Sequence, residues 1–390
     1  MKYYLIAGEA SGDMHGSLLM KALAERDPEA EFRFWGGGMM EAAGGTKVRD
    51  YRDTAVMGVV ELAAKAGRLK RNLAFCKADI LAWRPDVLIL IDYPGFNLKM
   101  ARFAHNNGFK VFYYIAPKVW ATREGRLEKL RRYVDALFVI FPFEVEWFRK
   151  RGIEPVYEGN PLIDSIDASL ESAPSKADFC AGNGLDPQRP LLALLAGSRL
   201  QEIKYLAPRF VRLAALLSGD GRYAALKDAQ LVLAAAPGIP REVYESHFGA
   251  SAIRVVYDQT YHLLKNSDAA LVASGTASLE TALIGTPQVV CYGMNPLTFK
   301  LAMAMLKVRY VSLANLILDK LIFRELLQND CNPEAMAGEL LRLAEDSDCR
   351  SRMLADYAQV RAALGGSGAA GRIAAQIYSR LNLTPRLSVK

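Results

Sequence analysis

Short apolar runs alternate with stretches of helical period along nearly the whole chain. Tyr3–Ala7, Val87–Ile91, Val111–Ile115 and Ala136–Ile140 are apolar without alternation. That is the pattern of strands covered on both faces of a parallel sheet. Helix-period segments such as Ser17–Glu25 and Leu98–His105 separate them. A chain written this way is restricted to βαβ units. After a stretch rich in small and turn-forming residues, SAPSKADFCAGNGLDPQRP, the rhythm restarts. Leu191–Leu195, Gln230–Ala235, Arg254–Val256, Ala269–Val272 and Gln288–Cys291 form a second set of strands, and Pro333 to about Leu381 reads as mostly helical. The expected fold is α/β, with two Rossmann-like, doubly wound parallel-sheet domains facing a cleft. We place them at 1–165 and 188–365, with a linker and short helix at 166–187. A C-terminal helix, 366–390, is expected to pack back on the first domain.

The 390 residues exceed the about 250–300 that one core usually serves, which agrees with two domains. An apolar share of 51% excludes a disordered chain. The net charge of +7 is too dilute to argue for nucleic acid, and no basic stripe interleaved with aromatics is present. Five cysteines without a CxxC pair, and four scattered histidines, argue against a disulfide framework or a zinc site. They fit a reducing cytoplasm. The start, MKYYLIAGEASGD, lacks the long apolar core of a secretory signal and reads as a first strand. No stretch reaches about 18 uncharged apolar residues, so the chain is expected to lie on a bilayer at most.

Five turns follow strands and carry polar residues. Gly8-Glu9-Ala10-Ser11-Gly12-Asp13 follows the first; its glycines allow close ligand approach, Ser11 and Asp13 are cap candidates, and Glu9 and Asp13 bring carboxylates. Asp92 directly follows Val87–Ile91 and precedes Pro94-Gly95, where a carboxylate either takes a proton from a sugar hydroxyl or caps the next helix. Pro117-Lys118-Val119-Trp120 precedes Arg123, Arg126 and Lys129, which share a helix face suited to phosphate or to solvent. Gly197-Ser198-Arg199 offers backbone N–H groups and a guanidinium to an anion, with Glu202 as the one nearby acid. Ser274-Gly275-Thr276-Ala277-Ser278 lets a diphosphate approach a helix start, and Glu280 one turn on suits the two hydroxyls of a ribose. The segments 56–75 and 296–310 mix apolar and basic residues, as for an anionic membrane surface, a lipid, a core or a dimer partner.

In order and combination, AGEASGD (7–13), FWGGGMMEAAG (34–44), IDYPGFN (91–97), PKVWA (117–121), FPFE (141–144), GNPL (159–162), GSRLQEI (197–203), ASGTASLETAL (273–283) and VSLANLI (311–317) resemble the lipid-A-disaccharide synthases. These are inverting, metal-independent glycosyltransferases of the GT-B fold (glycosyltransferase family 19). The resemblance implies joining UDP-2,3-diacylglucosamine to 2,3-diacylglucosamine 1-phosphate through a β-1,6 linkage, with release of UDP. It implies a peripheral protein on the cytoplasmic face of the inner membrane, without cofactor; a homodimer is compatible with it.

It implies Asp92 as the base, with Glu9 and Asp13 as rivals. UDP would be held by Gly197, Ser198, Arg199, Ser274, Gly275, Thr276, Ser278, Glu280, Asn315, Glu325 and Gln328. Acceptor and acyl chains would meet Ser11, Asn97, Trp120, Met57, Val60, Leu69 and Phe299. Gly95, Thr122 and Ala314 depart from the family's usual residues. The alternatives are a UDP-N-acetylglucosamine 2-epimerase or soluble-acceptor transferase of the same fold, or a non-catalytic nucleotide-sugar or lipid-binding protein.

Overall fold

The computed structural model describes residues 1–53, 62–120, 124–294, 299 and 309–383, with backbone alone for 62–66. It contains two compact units, Met1–Asp164 with Leu364–Lys390, and Ser165–Ala363.

The first unit is built on seven strands: β1 Lys2–Ala7, β2 Glu31–Gly36, β3 Thr46–Asp50, β4 Val87–Ile91, β5 Lys110–Tyr114, β6 Ala136–Val139 and β7 Val156–Tyr157. Their order is β3-β2-β1-β4-β5-β6-β7, and every pairing is parallel. Its helices are α1 Ala10–Arg26, α2 Gly38–Ala43, α3 Leu62–Trp83, α4 Pro94–Asn106, α5 Leu127–Tyr133 and α6 Pro142–Arg149. β4, VLILI, is buried at every residue because both sheet faces are covered by helices. The strand order reverses between β1 and β4, so the turns after these two strands open side by side. That is the position at which doubly wound sheets bind ligands. One core joins Tyr4, Ile6, Leu90, Phe96, Tyr113 and Val139.

In the second unit the strands are β8 Leu191–Leu195, β9 Gln230–Ala235, β10 Arg254–Tyr257, β11 Ala269–Ala273, β12 Gln288–Tyr292 and β13 Glu325–Leu327. The order β10-β9-β8-β11-β12-β13, again parallel, repeats the plan and puts a switch point between β8 and β11. The stretch 166–187 holds most of α7, Leu162–Glu171, and all of α8, Lys176–Asn183. α8 buries Phe179 and Cys180 in the second unit's core. Its small polar residues are those of helix ends: Ser175 caps α8 by accepting the Asp178 N–H, and Gly184 closes it in the left-handed region.

The remaining helices are α9 Leu200–Gly219, α10 Arg241–Phe248, α11 Thr260–Asn266, α12 Thr276–Ile284, α13 Leu313–Leu318, α14 Pro333–Glu345, α15 Ser347–Ala363 and α16 Ala369–Asn382. α16 belongs to the first unit, where it packs on α1. The Asp164 carboxylate caps its start by accepting the Gly368 and Ala370 N–H groups.

Candidate functional site

At the first unit's switch point β4 ends in two consecutive residues with left-handed backbone, Asp92 at φ 42° and Tyr93 at φ 47°. Neither is glycine, so each conformation costs free energy and needs outside support. Three bonds supply it. The Asp92 N–H donates to the Tyr114 carbonyl at 3.1 Å. The Asp92 carbonyl accepts the Tyr113 hydroxyl at 2.6 Å and Asn97 Nδ2 at 2.8 Å. Across the reversal, Gly8 leaves room for the Tyr93 ring: a Cβ there would lie 2.2 Å from it.

The Asp92 carboxyl is half-buried. Burial first, and the Glu9 carboxylate in addition, push its pKa up to about 6, while Lys118, the Tyr93 N–H and Arg126 pull the other way. A carboxyl poised there is suited to accepting a proton near neutral pH. Lys118 is exposed after β5 and Arg126 half-buried before α5; neither has a hydrogen-bond or ion-pair partner among the described residues. The Lys118 loop is anchored by Trp120, whose Nε1 donates to Glu144 Oε1 at 2.9 Å. Glu144 Oε2 accepts the Ile140 and Phe141 N–H groups, and burial pushes this carboxyl up to about 7.

Several sequence expectations change here. Asp13 is 4% exposed, and its oxygens accept the N–H groups of Gly37, Met39 and Met40. It caps α2, not its own helix. α1 begins at Ala10 with no side-chain cap, so Ser11 lies exposed inside its first turn and caps nothing. Asn97 is fully buried; its Nδ2 faces the Ile6, Ile91 and Asp92 carbonyls, so it shapes the Asp92 turn. Trp120 is likewise inward, at 8% exposure. Leu69 packs against the first core. Met57 and Val60 lie outside the described residues, and Phe299 is isolated between stretches outside them. Glu9 remains exposed beside Asp92.

In the second unit, the turn after β8 puts Gly197 at φ 93°, where a Cβ would meet Glu202 Oε2 at 2.2 Å. That oxygen accepts the Ser198 and Arg199 N–H groups at 2.9 and 3.2 Å. Two of the backbone donors expected for an anion, the Ser198 and Arg199 N–H groups, are therefore already taken. Arg199 pairs with Glu202 Oε1 at 3.1 Å, yet its side chain is 71% exposed. The guanidinium, rather than the helix start, is what this turn offers. The turn after β11 is different. Gly275 (φ 149°) precedes α12 and no side chain caps it. Among the described residues the Thr276 and Ala277 N–H groups thus lack an internal acceptor, while the Ser278 N–H bonds the Gly275 carbonyl, and Gly275 and Thr276 are exposed beside half-buried Ser274.

Ser278 faces inward and bonds the Gly275 carbonyl at 2.8 Å. Glu280 Oε1 accepts the Tyr261 hydroxyl at 3.0 Å, and burial raises the carboxyl above its ordinary value against that bond. Asn315 and Glu325 form a closed network. Glu325 accepts the Val311 and Ser312 N–H groups and Asn315 Nδ2, while Asn315 also bonds Phe323 and Ile322. They pin the start of α13, and Glu325 Oε2 holds a single N–H group, that of Val311. Gln328 keeps one: Oε1 takes the Met294 N–H, but Nε2 is buried with no partner among the described residues.

Tyr113, Glu144 and Tyr261 escaped the sequence reading as site-shaping residues. Two adjacent tyrosines in the buried strand KVFYY were the available signal, since a buried hydroxyl needs a partner. Among the described residues no cluster of His, Cys, Asp and Glu is arranged to hold a metal ion, and no helix is long and apolar enough to cross a membrane.

A family model for lipid-A-disaccharide synthetase matches residues 3–370. The chain belongs to the lipid-A-disaccharide synthase family. Relatives named lipid-A-disaccharide synthase include those of Geobacter metallireducens, 38% identical over 97% of this chain and 96% of the relative, and Myxococcus xanthus, 37% identical over 97% of both. Among solved structures, the UDP-GlcNAc 2-epimerase of Methanocaldococcus jannaschii in complex with UDP-GlcNAc and UDP covers 97% of this chain and 100% of its own at TM-score 0.65 and 14% identity. The calicheamicin glycosyltransferase CalG4 covers 99% of both chains at TM-score 0.60 and 16% identity. These likenesses establish the GT-B fold. Family membership establishes the activity: the enzyme is a glycosyltransferase that forms the lipid A disaccharide from a UDP-sugar and a lipid sugar.

Proposed function

We propose that Asp92 is the general base of this transfer and that α12 receives the leaving nucleotide. The donor is UDP-2,3-diacylglucosamine and the acceptor 2,3-diacylglucosamine 1-phosphate. The acceptor's 6-hydroxyl oxygen attacks the donor's C1 and forms the new C–O bond. The C1–diphosphate bond breaks, its electron pair leaves with UDP, and the hydroxyl proton passes to Asp92. One in-line displacement inverts C1, giving the β-linkage. The carrying observation is the half-buried Asp92 carboxyl at the first unit's switch point, with a pKa of about 6. It is ionised at cytoplasmic pH yet basic enough to take a proton.

The leaving diphosphate gains charge, which preorganised donors stabilise. The uncapped start of α12 and the exposed Arg199 guanidinium supply such donors, and Glu280 Oε2 is left for a ribose hydroxyl. Lys118 and Arg126 suit the acceptor's phosphate. Exposed Met39 and Phe75 on the first unit support contact with acyl chains at the cytoplasmic face of the inner membrane.

The test is UDP release from the diacylated donor with and without the monosaccharide 1-phosphate, with mass analysis of the lipid. Acceptor-dependent release with a tetra-acyl disaccharide phosphate, lost in Asp92→Asn with UDP binding intact, is expected. Full turnover by Asp92→Asn would transfer the base role to Glu9.

A further inference from the structure

Tyr113 is fully buried on β5, next to β4, and among the described residues its hydroxyl has one partner, the Asp92 carbonyl at 2.6 Å. Asn97 Nδ2 donates to the same oxygen from the first turns of α4. The Asn97 amide orientation is unambiguous, because three carbonyl oxygens surround this atom and only a donor satisfies them. The carbonyl so held belongs to the first residue of the left-handed pair Asp92–Tyr93. Two left-handed non-glycine residues in sequence persist only where the surroundings over-determine them. A relaxed turn would rotate the Asp92–Tyr93 peptide, and the Asp92 carboxyl with it. A core tyrosine needs no hydroxyl to pack, and this hydroxyl reaches the one peptide that aims Asp92.

We propose that Tyr113, together with Asn97, is a positioning residue that holds the Asp92 turn in its strained conformation and thereby aims the carboxyl for proton transfer. This rests on the reading of Asp92 as the base. Neither residue touches substrate in this account. Their effect reaches the reaction through the Asp92 backbone, so binding of the nucleotide is untouched. The charged groups acting on Asp92 are Glu9, Lys118 and Arg126, and the variants below alter none of them.

The experiment is Tyr113→Phe, which deletes the hydroxyl and retains the ring, assayed beside Asp92→Asn and the parent enzyme. The expected result is a plateau kcat at least tenfold lower in Tyr113→Phe. KM for both substrates and UDP affinity by calorimetry stay within twofold. The acid limb of the pH–kcat/KM profile moves below its parent position, because a freed Asp92 carboxyl turns toward solvent and regains ordinary acidity. A packing defect alone would lower the thermal midpoint without moving that limb. An unchanged kcat and acid limb in folded Tyr113→Phe overturns the proposal. Turnover retained in Asp92→Asn overturns the base reading instead, so the two failures are distinct. If Tyr113→Phe is not recovered folded, Asn97→Ala removes the other donor to the same carbonyl and is judged by the same criteria. Loss of fold in both variants also overturns the proposal, because the two residues would then be general supports of the unit.

Discussion

The Asp13 carboxylate accepts the Gly37 N–H at 2.7 Å and so caps a helix that begins 25 residues further along the chain. Replacing it with asparagine leaves one acceptor oxygen for three N–H groups, Gly37, Met39 and Met40. A buried donor left unpaired costs about 1–3 kcal/mol. Asp13→Asn is therefore expected to lose stability of that order in urea unfolding while keeping the parent's kcat per folded molecule. Lost turnover at unchanged stability would return Asp13 to the catalytic set.

Asp92 carries a prediction for stability as well as rate. Its folded pKa, about 6, lies above the ordinary carboxylate value, so the fold favours the protonated form. That contribution is full below about pH 4 and is lost as pH rises through about 6. Asp92→Asn is expected to exceed the parent in stability at pH 8 by about 1 kcal/mol, after discounting for partial exposure, and to gain nothing at pH 4. Its turnover falls by about 10²–10⁴-fold. Paired denaturation curves at the two pH values check the first part, and the absence of any pH-dependent gain would refute it.

Arg199 separates binding from folding. Its pair with Glu202 is exposed, and such pairs contribute about 0–1 kcal/mol. Arg199→Ala is expected to leave the unfolding midpoint nearly unchanged while weakening UDP about tenfold, the loss of one charge-assisted hydrogen bond. Calorimetric titration with UDP decides it; parent affinity in the variant would remove Arg199 from the nucleotide site.

Tyr261 and Glu280 give the complementary test on α12. Tyr261→Phe frees Glu280 Oε1 from its bond, so the carboxylate is no longer presented in one orientation. UDP affinity is expected to fall about threefold to tenfold, corresponding to a net hydrogen bond of about 0.5–1.5 kcal/mol. UMP should follow UDP, since both carry the ribose. Equal affinity of parent and variant for both nucleotides would dissociate Glu280 from ribose binding.

The Asn315–Glu325 network predicts a structural phenotype. Glu325→Ala strands the Val311 and Ser312 N–H groups and one hydrogen of the Asn315 amide. A loss of about 1–3 kcal/mol is expected from leaving these part-buried donors unpaired. A variant of parent stability with impaired UDP binding would show instead that Glu325 faces the ligand.

Much of the architecture was legible because it depends on local pattern. Runs such as VLILI and LLALL hide both faces of a strand whatever surrounds them, and a βαβ order confines them to parallel sheets. The same rule located the candidate turns, since Asp92 and Ser274 follow strands directly and Arg199 lies in the turn after β8. The roles inside those turns were harder to read. Asp13 and Asn97 look like ligand groups by position and type, but each also bonds backbone groups distant in sequence: Gly37 for one, Ile6 for the other. Ser278 bonds the Gly275 carbonyl within its own turn, and Asn315 bonds Phe323, Ile322 and Glu325.

The family, the doubly wound fold and the candidate turns at the strand ends follow from periodicity and from motifs contiguous in the chain. Which polar groups remain available depends on contacts between segments far apart in it. Hydrogen-bond satisfaction is a property of the completed fold. The Asp13 carboxylate caps N–H groups that the fold brings to it, whereas the Asp92 carboxyl stands half-buried on a strained turn.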